Sequence, residues 1–246
     1  MIGENEMNIA VIFAGGVGRR MNSRGIPKQF LKVNGVPIII HTLQVFEHSK
    51  EIDKIVIACI DEYIKYLQSL ISLYHIKKVA SVVKGGSTGQ QSIYNGLYAA
   101  SLIAKEEKSV VLLHDGVRPL IDDDLISRNI ESVHQFGSAI SCVPAKETVV
   151  IVNENGEISE TTDRSLTCFA RAPQSFWLDE ILYYHNKARE EKLEFIDSCT
   201  LMLYYKKALH TVETSSQNIK ITTPDDFYIF KALLSAKENA QILGVE

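Results

Sequence analysis

The chain has 246 residues, 46% of them apolar and 23% charged, a composition typical of an ordinary soluble protein with one large α/β domain. Its net charge of −4 excludes a general electrostatic attraction to nucleic acid or to anionic membranes. No apolar run approaches the roughly 20 residues of a membrane span, and the acidic, polar residues 1–7 are unlike a signal peptide. We therefore expect a cytoplasmic protein without nucleic-acid or membrane partners.

The cysteines give no sign of a disulfide framework or a metal cage. They are widely scattered and contain no C-x-x-C pair: Cys59, Cys142, Cys168 and Cys199. A reducing compartment agrees with this pattern.

Strand-like and helix-like segments alternate along most of the chain, which predicts a mostly parallel sheet flanked by helices. The predicted strands are Ile9–Phe13, Lys54–Ile60, Lys78–Val83, Ser109–Leu113, Ser138–Val143, Leu209–Glu213 and Ile219–Ile221. The predicted helices are Pro37–Ser49, Asp61–Tyr74, Gln90–Lys105, Asp122–Gln135, Leu178–Glu191, Cys199–Tyr205 and Pro224–Asn239, the last with Thr223 as its cap.

Residues 146–170 interrupt this alternation. Two strand-like runs, Thr148–Val152 and Glu157–Glu160, are separated by Asn153-Glu154-Asn155-Gly156, a sequence typical of a hairpin turn. Such a hairpin has little core of its own, so we expect it to leave the central sheet as an arm.

The first strand is followed by a glycine-rich loop and a cluster of cations. The loop contains Ala14, Gly15, Gly16 and Gly18, and the cations are Arg19, Arg20, Arg24 and Lys28. Glycines after a strand let backbone N–H groups approach an anion closely, and the cations add mobile charge for several phosphates. The pattern predicts a nucleoside triphosphate loop.

Other readings of this loop are weaker. A Walker loop requires a lysine followed by a hydroxyl residue, which is absent here. A dinucleotide fingerprint requires a third glycine where Met21 stands, although Asp61 at the end of the second strand keeps that reading open. The simplest alternative is a strand-to-loop turn with a solvated basic rim.

Two further polar turns follow strands. One contains Gly85 and Gly86, and the other is His114-Asp115-Gly116-Val117-Arg118-Pro119. In an open parallel sheet, ligands bind at the carboxyl ends of the strands. We therefore expect the basic loop, the second glycine turn and Asp115 to lie at one edge of the sheet.

Three charged residues are candidates for chemistry at that edge. Asp115 ends an apolar strand and is interpreted as a Mg²⁺ ligand, with an ordinary Asp–Arg pair to Arg118 as the alternative. Arg118 is placed to hold the phosphate of a second substrate. Lys220 lies between two isoleucines, where a phosphate contact and an edge-strand charge are both reasonable interpretations.

At this point the chain resembles a known family. The motifs that carry the resemblance occur in order: Ala14-Gly15-Gly16-Val17-Gly18-Arg19-Arg20-Met21, Pro27-Lys28-Gln29-Phe30, Gly85-Gly86, His114 to Pro119, Ala172-Pro173-Gln174-Ser175-Phe176 and Asn218-Ile219-Lys220-Ile221-Thr222. Together they are similar to the CTP-dependent cytidylyltransferases that act on small polyol phosphates. The resemblance covers residues 8–227.

The resemblance implies a Rossmann-like, glycosyltransferase-A-type fold as one nucleotidyltransferase domain over residues 1–246, and a homodimer with residues 146–170 as the dimerisation arm. It also implies roles. Arg20, Lys28 and Lys220 would be catalytic contacts to the triphosphate. Ala14, Gly15, Gly16, Gly18, Gly85, Gly86 and Ser92 would hold the nucleotide, with Asp115 binding the Mg²⁺ cofactor. Arg118, with Thr148 and Arg164 from the partner's arm, would hold the polyol phosphate.

By spacing alone, Ser92 reads as a helix cap or a base contact, Thr148 as a strand residue and Arg164 as a surface charge. Three departures from the family pattern are Gly89, where an arginine is common, and Ala172 and Ile196, where threonines are usual. The last two normally lie near the acceptor pocket.

Several motifs are closer to the ribitol-phosphate branch of the family, so we expect CMP transfer from CTP to ribitol 5-phosphate or a related pentitol phosphate. One alternative is the methylerythritol-phosphate branch of isoprenoid synthesis. Another is a regulatory protein that binds CTP with little turnover.

Overall fold

A seven-stranded sheet forms the centre of the molecule. The computed structural model describes residues 6–16, 25–105 and 107–243. The strands are β1 Met7–Ala14, β2 Lys32–Val33, β3 Val36–Pro37, β4 Lys54–Cys59, β5 Val79–Lys84, β6 Ser109–Asp115, β7 Ser138–Pro144, β8 Val150–Val152, β9 Ile158–Thr161, β10 Cys168–Trp177 and β11 Thr211–Glu213. The helices are α1 Ile38–His48, α2 Ile64–Leu73, α3 Gly89–Ala104, α4 Asp123–Phe136, α5 Leu178–Glu190, α6 Ser198–Tyr204 and α7 Pro224–Leu243.

The strand order of the central sheet is β11-β7-β10-β6-β1-β4-β5. Strand β1 pairs in parallel with β4 and β6, β4 with β5, and β7 with β11, whereas β10 is antiparallel to both of its neighbours. The predicted mostly parallel sheet is confirmed.

Both faces of this sheet are covered, which explains the unbroken apolar run of β1. Ala10 and Ile12 pack into one core with residues of α1, α2 and α4, while Ile9 and Val11 pack into another with residues of α3, α5 and α6. All four are completely buried. A strand buried on both faces needs apolar residues at every position, not at alternate ones.

Strand β10 is the element that the sequence pattern did not reveal. It inserts between β6 and β7, and its register shifts between Ala170 and Gln174. Two of its buried residues are polar and have their hydrogen bonds met by distant partners: Ser175 Oγ lies 3.1 Å from Asn129 Oδ1, and Gln174 Oε1 accepts a bond from Cys199 N. Pro173 and these polar residues remove the pattern of a buried strand.

The strand predicted at Ile219–Ile221 is wrong. The segment belongs to none of the described sheets: Ile221 N donates to Val117 O and Ile219 N to Gln217 O, and neither bond is part of a strand pairing. Ile221 packs into a small core beside Phe230 of α7, so its burial comes from a helix and a loop. Further along, Thr223 caps α7 as predicted, because its Oγ1 accepts a bond from Asp226 N at 3.3 Å.

Strands β8 and β9 form a two-stranded sheet of their own, separate from the central one, which confirms the predicted hairpin. Asn153 Oδ1 accepts bonds from Asn155 N and Glu157 N, and Gly156 has a φ of 82°, which favours glycine. Every residue of both strands is exposed. The dimerisation role of this arm stays a prediction.

Across the described residues, none of the helices combines the length and the apolar character needed to span a membrane.

Candidate active site

A cleft of about 930 Å³ opens at the carboxyl ends of β1, β5 and β6. It brings together most of the predicted site residues: Ala14, Gly15, Gly16, Lys28, Gly85, Gly86, Ser92, Asp115, Arg118 and Lys220. The predicted convergence of the three polar turns on one sheet edge is therefore confirmed. Gly18 and Arg20 lie outside the described residues.

The end of β1 is anchored by a residue whose role the sequence did not show. Gln29 is buried, and its Nε2 donates a 2.6 Å hydrogen bond to Ala14 O. The bond ties the Lys28-containing turn to the first glycine loop and places Lys28 at the cleft wall. The role of a polar side chain such as Gln29 becomes evident only once its tertiary contact is known.

The second glycine loop is shaped by Ser92. Its hydroxyl accepts a bond from Gly86 N and donates one to Thr88 O, both at 3.0 Å. A Cβ on Gly15 would lie 2.9 Å from the same hydroxyl, so the two loops approach each other closely only because Gly15 has no side chain. The Ser92 proton is thus already used by its own loop, which makes Ser92 a residue that positions the loop.

Helix α3 begins at Gly89, directly after this loop, and Gly89 lines the cleft. Its N-terminal N–H groups supply the positive end of a helix dipole. Glycine backbone therefore lines one side of the cleft and a helix N-terminus lines another, an arrangement suited to binding phosphates.

An ion cluster lies at the centre of the cleft. Asp115 Oδ2 accepts a 2.8 Å bond from Arg118 Nε, and Asp115 Oδ1 lies 2.6 Å from Lys220 Nζ. Burial opposes the charged form of Asp115, but the charges of Lys220 and Arg118 and their hydrogen bonds outweigh it and lower its pKa to about 2. Asp115 is therefore ionised throughout the physiological range. The structure also contains the Asp–Arg pair that was the alternative interpretation of Asp115.

Arg118 is held rigidly. Its Nη1 donates to Asn218 O at 2.9 Å, and its own carbonyl oxygen lies 3.0 Å from His114 Nε2. Because a carbonyl only accepts, His114 Nε2 carries the proton, and burial lowers the pKa of His114 to about 4. His114 and Asn218 are completely buried and position the loop, a role that their sequence context did not indicate.

Comparison with known proteins identifies the family. The model of the 2-C-methyl-D-erythritol 4-phosphate cytidylyltransferase family matches residues 8–236. The chain belongs to this family. Its predicted nucleotidyltransferase character is confirmed with it.

Individual relatives agree. The chain is 52% identical over 240 residues to a ribitol-5-phosphate cytidylyltransferase of Streptococcus agalactiae serotype V, covering 97% of this chain and 100% of the relative. It is 37% identical over 227 residues to a 2-C-methyl-D-erythritol 4-phosphate cytidylyltransferase of Clostridium botulinum, covering 92% and 97%. The crystal structure of 4-diphosphocytidyl-2C-methyl-D-erythritol synthase from Anaerococcus prevotii has the same fold, with a TM-score of 0.82, 24% identity and coverage of 94% and 96%.

In this cytidylyltransferase-family chain, the β10 side of the cleft contains two of the three departures from the family pattern. Ala172 is buried, whereas Ile196 is 88% exposed and lies beside Asp197 at the start of α6. Asp197 caps that helix, since its Oδ1 accepts a bond from Thr200 N at 2.8 Å. This wall combines three apolar residues, Ala170, Ala172 and Ile196, with four polar ones, Arg171, Gln174, Asp197 and Ser198.

The structure does not bring Thr148 and Arg164 to the cleft of their own chain. Neither lines it; both belong to the exposed arm, where Arg164 Nη1 donates to Lys146 O at 3.4 Å. Their predicted substrate-binding role accordingly depends on an arm that reaches a second chain.

Proposed function

We propose that the protein transfers CMP from CTP to ribitol 5-phosphate, forming CDP-ribitol and releasing pyrophosphate. The observation that carries this proposal is the 52% identity, over essentially its whole length, to a protein named ribitol-5-phosphate cytidylyltransferase. The cleft supports it, because glycine loops, a helix N-terminus and several cations meet there.

The reaction joins two phosphates. A phosphate oxygen of ribitol 5-phosphate attacks the α-phosphorus of CTP and forms a P–O bond, while the bond to the β-phosphate oxygen breaks and pyrophosphate leaves with its electron pair. Negative charge builds on the equatorial and bridging oxygens, so catalysis consists of positioning and electrostatic stabilisation. Lys28 and Lys220 would stabilise that charge, as would Arg20.

The reaction needs no general base, since a phosphate nucleophile is already ionised near neutral pH. The cleft agrees with this. His114, the histidine closest to Asp115 in sequence, is neutral, buried and engaged with Arg118 O. Asp115 is bound by two cations and has too low a pKa to serve as a base.

Mg²⁺ is the proposed cofactor, and Asp115 would hold it. The described residues contain no group of three or more acidic, histidine or cysteine side chains that could hold a metal alone. Mg²⁺ usually takes one or two carboxylates together with substrate phosphates, so one ionised carboxylate in a phosphate cleft fits. The ion would neutralise phosphate charge. Lys220, whose side chain is 43% exposed, is the Asp115 partner free to exchange towards a phosphate.

We further propose a cytoplasmic homodimer. Thr148 and Arg164 reach a cleft only if the arm extends to another chain, and the exposed arm carries the apolar side chains of Val150, Val152 and Ile158. Burial of such side chains is a typical reason for association. The four cysteines are free, which suits a reducing compartment.

Transfer to 2-C-methyl-D-erythritol 4-phosphate is the second candidate, favoured by the family model and by the 37% identical relative. Both candidates share the nucleotide site and differ in the acceptor. A panel of acceptors therefore separates them.

The test measures pyrophosphate release from CTP and Mg²⁺ with ribitol 5-phosphate, 2-C-methyl-D-erythritol 4-phosphate and other polyol phosphates side by side. We expect ribitol 5-phosphate to give the highest kcat/KM, and removal of Mg²⁺ with a chelator to abolish turnover. Lys220→Ala should lower kcat/KM roughly 10²-fold, because it removes a charge contact to the transition state.

Lys231→Ala is the matched control, since Lys231 is an exposed lysine of α7 outside the cleft. A preference for the methylerythritol acceptor would replace the first candidate with the second. Tight CTP binding without turnover on any acceptor would favour the regulatory alternative.

A further inference from the structure

The cations that line the cleft differ in how they are paired. Arg118 and Lys220 share Asp115, Lys84 Nζ lies 2.7 Å from Asp61 Oδ2, and Lys28 also interacts with another residue. The side chain of Arg171 forms no hydrogen bond or ion pair with any part of the chain that the structure describes, and its Nε is buried without a partner. A buried guanidinium N–H without an acceptor is costly, which makes Arg171 the exception that needs an explanation.

The backbone on either side of Arg171 is fixed. Asn218 Nδ2 donates a 2.7 Å bond to Ala172 O, and Gln174 holds the start of α6 through Cys199 N. Arg171 itself lies in the register shift of β10, between Ala170 and Gln174. Its side chain is thus presented to the cleft from an anchored strand, not from a loose loop.

Arg171 also lies close to another guanidinium. Burial lowers its pKa, and the positive charge of Arg118 lowers it further, although arginine stays protonated. Asp115, the carboxylate that pairs with Arg118, also binds Lys220, and within the described residues Arg171 forms no ion pair with a carboxylate. A guanidinium that lies near another cation and has no carboxylate of its own is balanced best by a bound anion.

The position of Arg171 indicates which anion. Strand β10 lies on one side of β6, whereas β1 and β5, which carry the glycine loops, lie on the other. The other described residues that line this side of the cleft are Ala170, Ala172, Gln174, Ile196, Asp197 and Ser198, and none of them carries a positive charge. Arg171 therefore supplies the positive charge of the wall opposite the nucleotide loops.

We propose that Arg171 is a specificity-determining residue that binds the phosphate of the acceptor, beside Arg118. This inference rests on the proposed transfer of CMP to a polyol phosphate. The planar guanidinium of Arg171 donates to the phosphate oxygens and offsets their charge. Arg118 contributes a second guanidinium, whose position is fixed by its bonds to Asp115 and Asn218 O. The phosphate supplies the negative partner that the Arg171 side chain lacks among the described residues.

The experiment is steady-state kinetics of Arg171→Gln and Arg171→Lys, with the acceptor and CTP varied separately. Arg171→Gln should raise the KM for ribitol 5-phosphate roughly 10- to 100-fold, the range for a lost hydrogen-bonded charge, and leave the KM for CTP within about twofold. Arg171→Lys should recover part of the loss, since lysine keeps the charge but not the fork. Arg128→Gln, which changes an arginine of α4 outside the cleft, should match the wild type.

Inorganic phosphate gives a second readout that a purely structural role would not change. It should inhibit the wild type competitively with the acceptor, and Arg171→Gln should weaken that inhibition by a similar factor. An unchanged acceptor KM in Arg171→Gln overturns the proposal, as does a rise in the KM for CTP instead.

The proposed function is tested separately, by the activity of the wild type alone on the different acceptors. If the wild type prefers another polyol phosphate, the proposed acceptor is wrong, and Arg171 is judged on the acceptor that reacts. If none reacts, calorimetric titration with ribitol 5-phosphate in the presence of CTP decides. Equal binding by the wild type and Arg171→Gln would then refute the role of Arg171.

Discussion

Asp115 shows how a single residue acquires its properties from partners distant in sequence. Alone, a carboxylate at the end of a buried strand would be protonated or excluded. With Arg118 three residues on, it forms a pair that the sequence already suggested. The contact from Lys220 at 2.6 Å makes the group a cluster with its charge fixed. The contact between Lys220 and Asp115 could be seen only in the folded structure, because nothing in the sequence around Lys220 indicates that it lies beside Asp115.

Buried histidines give the molecule a pH-dependent stability. His185 in α5 is 1% exposed, and burial lowers its pKa to about 4 from 6.5. In the unfolded chain the ring takes up a proton as the pH falls below about 6.5, whereas in the folded chain it stays neutral until about 4. Since the unfolded state binds the extra proton, the free energy of unfolding should fall as the pH decreases through this interval.

His185→Gln removes one such proton. We expect the slope of the free energy of unfolding against pH, between pH 6.5 and 4, to become shallower by up to about 1 kcal/mol per pH unit, since less than one full proton is linked to unfolding over this interval. Urea unfolding at several pH values measures it. His48→Gln, at an exposed position of α1, should keep the wild-type slope. Equal slopes in the two variants would mean that folding does not lower the pKa of His185.

Helix α3 is the element that connects the nucleotide loops to the sheet, and its contact with β1 is tight. A Cβ on Gly96 would lie 2.5 Å from Val11 Cγ1, in a completely buried part of β1. Gly96→Ala should therefore lower the free energy of unfolding by roughly 1–3 kcal/mol, the usual cost of overpacking a core, despite the better helix propensity of alanine.

Gly89→Ala is the matched control in the same helix, because no described atom lies within 4 Å of the Cβ that it would add. It should leave the stability unchanged or raise it slightly. Thermal and urea unfolding of both variants compare them directly. If Gly96→Ala is no less stable than Gly89→Ala, α3 is able to move away from β1, and the close contact is not what fixes the second glycine loop.

Whether a strand could be predicted depends on whether its buried residues are apolar. Strands such as β1 and β6, which contain unbroken apolar runs followed by a polar turn, could be predicted together with the edge where the turns meet. Strand β10 could not, because Pro173 and the buried Gln174 and Ser175 hide its burial. Its absence from the prediction also concealed Arg171, although the family resemblance had already pointed to Ala172 and Ile196 on the same side of the cleft.

At the scale of the whole molecule, Arg164 lies in the exposed arm and does not line the cleft of its own chain, so its proposed contact with the substrate requires a second chain. The proposed homodimer meets this requirement by placing the arm of one chain over the cleft of the other. Each active site would then need Lys220 from one chain and Arg164 from its partner. This arrangement makes a prediction that depends on chain pairing and not on the strength of either contact.

Heterodimers made from Lys220→Ala and Arg164→Ala chains, coexpressed with different tags and isolated by two affinity steps, test it. If the arm acts across chains, one of the two sites has both residues intact, and the heterodimer should have about half of the wild-type activity although each parent is nearly inactive. A heterodimer of the wild type with the double variant should then be nearly inactive, because each of its sites lacks one residue. If Arg164 acts within its own chain, the two results are exchanged: the first heterodimer is inactive and the second keeps about half.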